Sequence, residues 1–136
     1  MMNSASPRQL LADESGGFVL WWLIGLSGVA ILVFALVADG SRVMAGLNET
    51  SDVAQVAARA GARMVNPATG SLDATRAESL AQSELAASGM TGTVAVNGNE
   101  ITVTAVTTIE LPLLAVVGVS ERTVDSTRTA RAISDP

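Results

Sequence analysis

The hydrophobic pattern of this 136-residue chain changes period as it runs, and each change marks an element. From Gly16 to Ala38 no residue is charged, and the large apolar residues, from Phe18 and Leu20 through Phe34 to Val37, fall on every helical face rather than in one stripe. At about 1.5 Å per residue a helix over this run extends roughly 35 Å, against a hydrocarbon core of about 30 Å, which predicts one transmembrane pass over residues 16–38. Large apolar residues each favour insertion by about 0.3 to 0.6 kcal/mol, so the run as a whole favours it by roughly 4 to 8 kcal/mol. Trp21 and Trp22 stand near its N-terminal end, where indole rings meet headgroups. Gly25 and Gly28 allow close lateral approach, although no small residue recurs at a spacing of four. A cleaved secretory signal is the rival reading. Its apolar core is normally about 7 to 15 residues behind a basic leader, whereas this longer run follows Asp13 and Glu14 with Arg8 as the one base. A core helix of a soluble protein is disfavoured because the remaining residues are too few to cover a helix that is apolar all round.

Beyond Ala38 polarity returns and a helical period appears. Val43, Leu47, Ala54, Ala57 and Gly61, followed by Met64 or Val65, make one narrow stripe of mostly small side chains. The stripe predicts a helical stalk over 39–65 that continues the membrane helix, with Gly40 and Gly46 as points of bending and Arg59 and Arg63 on a solvated face. Asn66-Pro67-Ala68-Thr69-Gly70 is turn chemistry, Asp73 is placed to cap a second helix closed by Gly89, and Ala77, Leu80, Ala81 and Leu85 are that helix's apolar stripe. From Thr93 the period becomes two. Val94 and Val96 alternate with Thr93 and Ala95, the pair Asn97 and Gly98 supplies a hairpin turn, and Ile101, Val103, Ala105 and Ile109 share one face of the next strand. Leu111–Val119 is strongly apolar but broken by Pro112 and Gly118; it reads either as a short helical turn capping the sheet or as a patch that meets lipid or a partner. A Thr-rich third strand is expected over Arg122 to Ile133. The predicted fold is therefore α+β: a tail over 1–15, a transmembrane helix over 16–38, a helical stalk over 39–65, and a small domain over 66–136 with a second helix and an antiparallel sheet of about three strands.

Composition narrows the function. The chain has no Cys, His or Lys and a net charge of -5, and its eight basic residues are all Arg, dispersed along the sequence. Nucleic acid is not an expected partner, because no basic stripe is present to follow phosphates. Thiolate, imidazole and amine chemistry are excluded, which leaves carboxylates alone for acid and base roles. Glu78 and Glu84 are six apart on a helix and point in different directions, while Asp52, Asp73, Glu100, Glu110 and Asp125 lack metal-loop spacing. No catalytic, cofactor-binding or metal-binding residues are assigned, no cofactor is expected, and the chain is not read as an enzyme. No aromatic residue follows Phe34, so a small-molecule substrate site is not expected either.

The order of parts resembles a known family. An acidic, Gly-containing start (Asp13-Glu14-Ser15-Gly16-Gly17), one apolar helix, the junction Val37-Ala38-Asp39-Gly40-Ser41-Arg42 and the run Ala54-Gln55-Val56-Ala57-Ala58-Arg59-Ala60-Gly61-Ala62 are similar to the TadE/TadG-like pilus-assembly proteins of tight-adherence (Flp) systems, in the short form found in high-GC Gram-positive, actinobacterial cells. Gly89-Met90-Thr91-Gly92-Thr93-Val94, Leu113-Leu114-Ala115-Val116-Val117-Gly118-Val119 and the Thr-rich end resemble the C-terminal half of the same family. The resemblance implies a minor-pilin-like structural or accessory component in the cell membrane, N-terminus cytoplasmic and C-terminal domain extracytoplasmic, whose partners are the lipid bilayer and other pilin-like or pilus-assembly membrane proteins. Phe18, Trp21, Trp22, Gly25, Gly28 and Phe34 would contact the membrane, and the stripe from Val43 to Gly61 would pack on neighbouring helices. The chain departs from the prepilins of that system in having no Tyr and no acid between Gly16 and Ala38. A membrane-anchored extracytoplasmic binding or regulatory module unrelated to pili is the alternative.

Overall fold

The computed structural model describes residues 7–133, apart from the side chains of 7–15. Its fold is α+β: helix α1 (Pro7–Ala62), helix α2 (Ala74–Ala87), strand β1 (Thr91–Asn97), strand β2 (Glu100–Glu110), a 3₁₀ turn (Leu114–Val117) and strand β3 (Glu121–Arg131). The tail expected over 1–15 lies outside the described residues as far as Ser6; from Pro7 its backbone is already helical, with proline at the first helical position, where its missing N–H costs nothing. By its contacts the chain divides into two compact units, Met1–Ala38 and Asp39–Pro136.

The second unit is built from a thin layer of small residues. Ala54, Ala57, Ala58 and Ala62 of α1 are buried with Ala77, Ala81 and Leu85 of α2, Met90, and Ile101, Val103 and Ala105 of β2. Gly61 lies against the Ile101 side chain and the Ala77 carbonyl, and Gly46 lies against Ile109, so this part of α1 runs beside β2 in the opposite direction. Short side chains on α1 make that approach possible, and Leu85, Ile101 and Val103 fill what remains. Within residues 39–62, Asp39, Thr50, Ala54, Ala57, Ala58, Gly61 and Ala62 are buried in this unit, where a helical stalk continuing the membrane helix was expected over 39–65, and α1 ends at Ala62. Beyond it Val65 pairs with Leu72 in an isolated bridge.

Local signals account for the α2 ends. Asp73 Oδ1 accepts the Arg76 N–H at 3.2 Å, the N-cap interaction. At the other end Gly89, with φ +69, lets its own N–H reach Ala86 O and the Met90 N–H reach Leu85 O, both at 3.0 Å. That pair of bonds is a Schellman motif, and its apolar partners Leu85 and Met90 are both in the core. The sheet is antiparallel in the order β1-β2-β3. One face carries the core residues. The other carries threonines in cross-strand register, with Thr102 and Thr129 hydroxyls 3.0 Å apart and Thr104 and Thr127 hydroxyls 2.8 Å apart.

The hairpin differs from the sequence reading by one residue. Asn97 pairs with Glu100 as the last rung, and the two-residue turn is Gly98-Asn99, with φ +60 at Gly98 and a negative φ at Asn99. A left-handed first turn position alone fits a type II′ turn, which demands Gly there, where Asn97-Gly98 would have required two such positions. The displaced Asn99 has work elsewhere: its Oδ1 accepts the Leu72 N–H at 3.2 Å and its carbonyl accepts the Ala132 N–H at 2.7 Å.

Candidate functional site

Two features of the chain are built for contact. The first lies in the unit Met1–Ala38. Every large apolar side chain from Phe18 to Val37 is exposed, Trp21 at 76% and Phe34 at 70%. The most apolar 18-residue window of the helix has a mean hydropathy of 2.4 and is 6% buried. Water does not tolerate an uncovered apolar cylinder of this length, so the segment is compatible with a membrane anchor. One face of it is shaped: Phe18, Trp21, Trp22, Leu26 and Val29 rim a shallow groove that bottoms at Gly25. A Cβ at Gly25 or Gly28 would meet nothing within 4 Å, so both glycines are open notches. Phe34 falls on the opposite helical face.

The second feature lies in the unit Asp39–Pro136. Asp39 is fully buried, and its Oδ2 accepts the backbone N–H groups of Leu113 at 3.0 Å and Leu114 at 2.8 Å. These are N–H groups at the start of the 3₁₀ turn, which lack partners within the turn itself, so a carboxylate from a distant helix acts as their cap. Oδ1 has no hydrogen-bond partner among the described residues. The loop is closed at its base by Leu111 N–H to Ser120 O at 2.8 Å, and Gly118, with φ +94, ends the turn. Its buried residue is Leu111, while Val116 is 89% and Val117 59% exposed. Of the two sequence readings of Leu111–Val119, the short helical turn is present, and its valines remain uncovered within the chain.

The helix-packing stripe is occupied by the chain itself. Ala54, Ala57 and Gly61 are buried, Val43 and Leu47 half-buried. Arg59 and Arg63, on the exposed side, meet Arg131 around a cleft floored by Ala62, Val65 and Ala130; Arg131 is also held by Glu100, with Nη2 to Oε1 at 2.7 Å. Among the described residues no group of three or more Asp or Glu could hold a metal ion.

Asp39 and Asn99 are the residues that sequence reasoning did not single out. The signal available for Asp39 was positional, as the first charge after the apolar run; nothing local pointed to its partners 74 and 75 residues away. The chain matches no family model, no curated protein and no solved structure.

Proposed function

We propose that this chain is a membrane-anchored, minor-pilin-like structural component of a tight-adherence pilus or a related secretion system, with its N-terminus cytoplasmic and its α+β domain extracytoplasmic, acting through packing and protein contacts rather than catalysis. The observation that carries this reading is α1 itself. A single helix presents an all-round apolar surface over Phe18–Val37 and then supplies the core of the domain with Ala54, Ala57, Ala58 and Ala62. An anchor joined to its domain without a linker suits a component that must hold a fixed place among neighbouring helices. The resemblance set out above supplies the assembly.

Lateral contact falls to the groove around Gly25, because the small-residue stripe is already filled. In lipid, helices gain little from leaving an apolar solvent for an apolar partner, so association depends on shape, and a notch walled by Phe18, Trp21 and Leu26 gives a partner's side chain a place to seat. A photoactivatable residue at Leu26, in the groove, is expected to cross-link in native membranes to pilus or secretion-assembly proteins. The same residue at Ile31, on the far face, is expected to capture lipid. Equal protein capture from both faces, or partners unrelated to such an assembly, would overturn the reading. Orientation is checked with an impermeant thiol reagent on intact cells carrying Ser4→Cys or Ser79→Cys. Labelling at residue 79 and protection at residue 4 is expected, and the reverse defeats the proposed topology.

A further inference from the structure

The Asp39 clamp fixes where the apolar loop must be. Asp39 is covalently the next residue after Ala38, the last of the uncharged run. Its carboxylate holds the Leu113 and Leu114 backbone at 3.0 and 2.8 Å, so the loop is tied to the residue that follows the apolar run in the chain. The loop carries two exposed valines, Val116 at 89% and Val117 at 59% exposure, flanked by exposed Leu113 and Val119. The charges nearby fall within one of balance: Glu110 and Glu121 face each other on the rung that ends β2 and opens β3 and Asp39 is buried, while Arg42 and Arg122 lie in the adjoining sequence. Nothing in that set recruits a headgroup of one sign, so the surface is apolar in character.

We propose that the loop Leu111–Ser120 is a second membrane contact, in which Val116 and Val117 enter the boundary between headgroups and acyl chains beside the exit of α1. The proposal rests on the reading of residues 16–38 as a membrane span. The occupant is lipid because the loop is pinned to Asp39, the next residue in the chain after the segment that lipid covers. Asp39 is a positioning residue here. Its two hydrogen bonds hold the turn so that the valines face out, and its own side chain is buried and touches no lipid.

The test uses the full chain in nanodiscs, helped by the absence of native cysteine. Single variants Val116→Cys, Leu26→Cys and Asn97→Cys carry an environment-sensitive fluorophore, and lipids bear a quencher at shallow or deep positions. Asn97 is exposed at the end of β1, paired with Glu100 at the start of β2, roughly 35 Å along that strand from the loop. A blue-shifted emission at residue 116 with strongest loss to the shallow quencher, deep quenching at residue 26 and none at residue 97 is expected, alike in zwitterionic and anionic bilayers. Asp39→Asn is expected to weaken the shallow quenching at residue 116 while leaving residue 26 unchanged. Quenching at residue 26 with a water-exposed probe at residue 116 overturns the loop contact and leaves the span standing. A shielded residue 116 that no lipid quencher reaches assigns the valines to a protein partner and also overturns it. Absence of quenching at residue 26 defeats the span, and the loop proposal with it.

Discussion

Asp39 joins the start of the domain to a loop more than seventy residues away. Two backbone N–H groups depend on one buried carboxylate oxygen, and a buried donor left without its acceptor costs about 1 to 3 kcal/mol. Asp39→Ala is therefore expected to destabilise the domain by roughly 2 to 3 kcal/mol in denaturant titration, and Asp39→Asn, which keeps an acceptor, by less. The glycines of α1 divide by what lies opposite them. A methyl at Gly61 meets the Ala77 carbonyl oxygen at 3.1 Å as well as Ile101, and backbone cannot step aside; Gly61→Ala should cost about 1 to 3 kcal/mol. At Gly46 the obstacle is the flexible end of Ile109, while the helix gains about 1 kcal/mol of propensity from Gly to Ala, so Gly46→Ala should fall near zero. The same measurement separates the two. None of this is visible in the sequence, because the partners of Asp39, Gly46 and Gly61 come from β2, α2 and the loop after β2. A sequence marks a small or charged residue but not what stands across from it.

Among the elements, those governed by nearest-neighbour chemistry were the most legible. Asp73 and Gly89 bound α2 as a cap and a Schellman glycine because both signals act within one turn. The hairpin was legible as an element and off by one in register, since Asn-Gly serves more than one turn type and the choice was settled by Asn99, which bonds to Leu72 and Ala132 outside the hairpin. The stripe on α1 was legible as a packing surface, yet small residues at helical spacing are equally suited to another protein's helix and to the chain's own sheet. The structure gives it to the sheet. Ala57→Leu should accordingly lower domain stability by about 1 to 3 kcal/mol, whereas Arg59→Leu, on the exposed side, should stay within about 0.5 kcal/mol. For the apolar segment the insertion balance is itself testable. One Asp at the centre of the helix costs about 3 kcal/mol against a favourable sum of roughly 4 to 8. Leu26→Asp alone should leave the protein in the alkali-resistant membrane fraction, and Leu26→Asp with Ile31→Asp should release a measurable share of it.

For the whole molecule, the division into Met1–Ala38 and Asp39–Pro136 predicts two exchange regimes. In a bilayer, amides over Phe18–Val37 should be protected because lipid excludes water. Those of Ile101–Ala105 and Ala54–Ala62 should be protected by packing, and so should exchange together when the domain is loosened by denaturant. The continuity of α1 has a further consequence, in the order of events during biosynthesis. The helix that carries the apolar segment leaves the ribosome before the strands, and its alanines from Ala54 to Ala62 lack the Ile101 and Val103 side of their core until β2 has been made. A domain whose N-terminal core element waits for a strand near its C-terminal end cannot close early. On the topology proposed above, the nascent chain would reach the membrane with its domain still open, and folding would follow translocation.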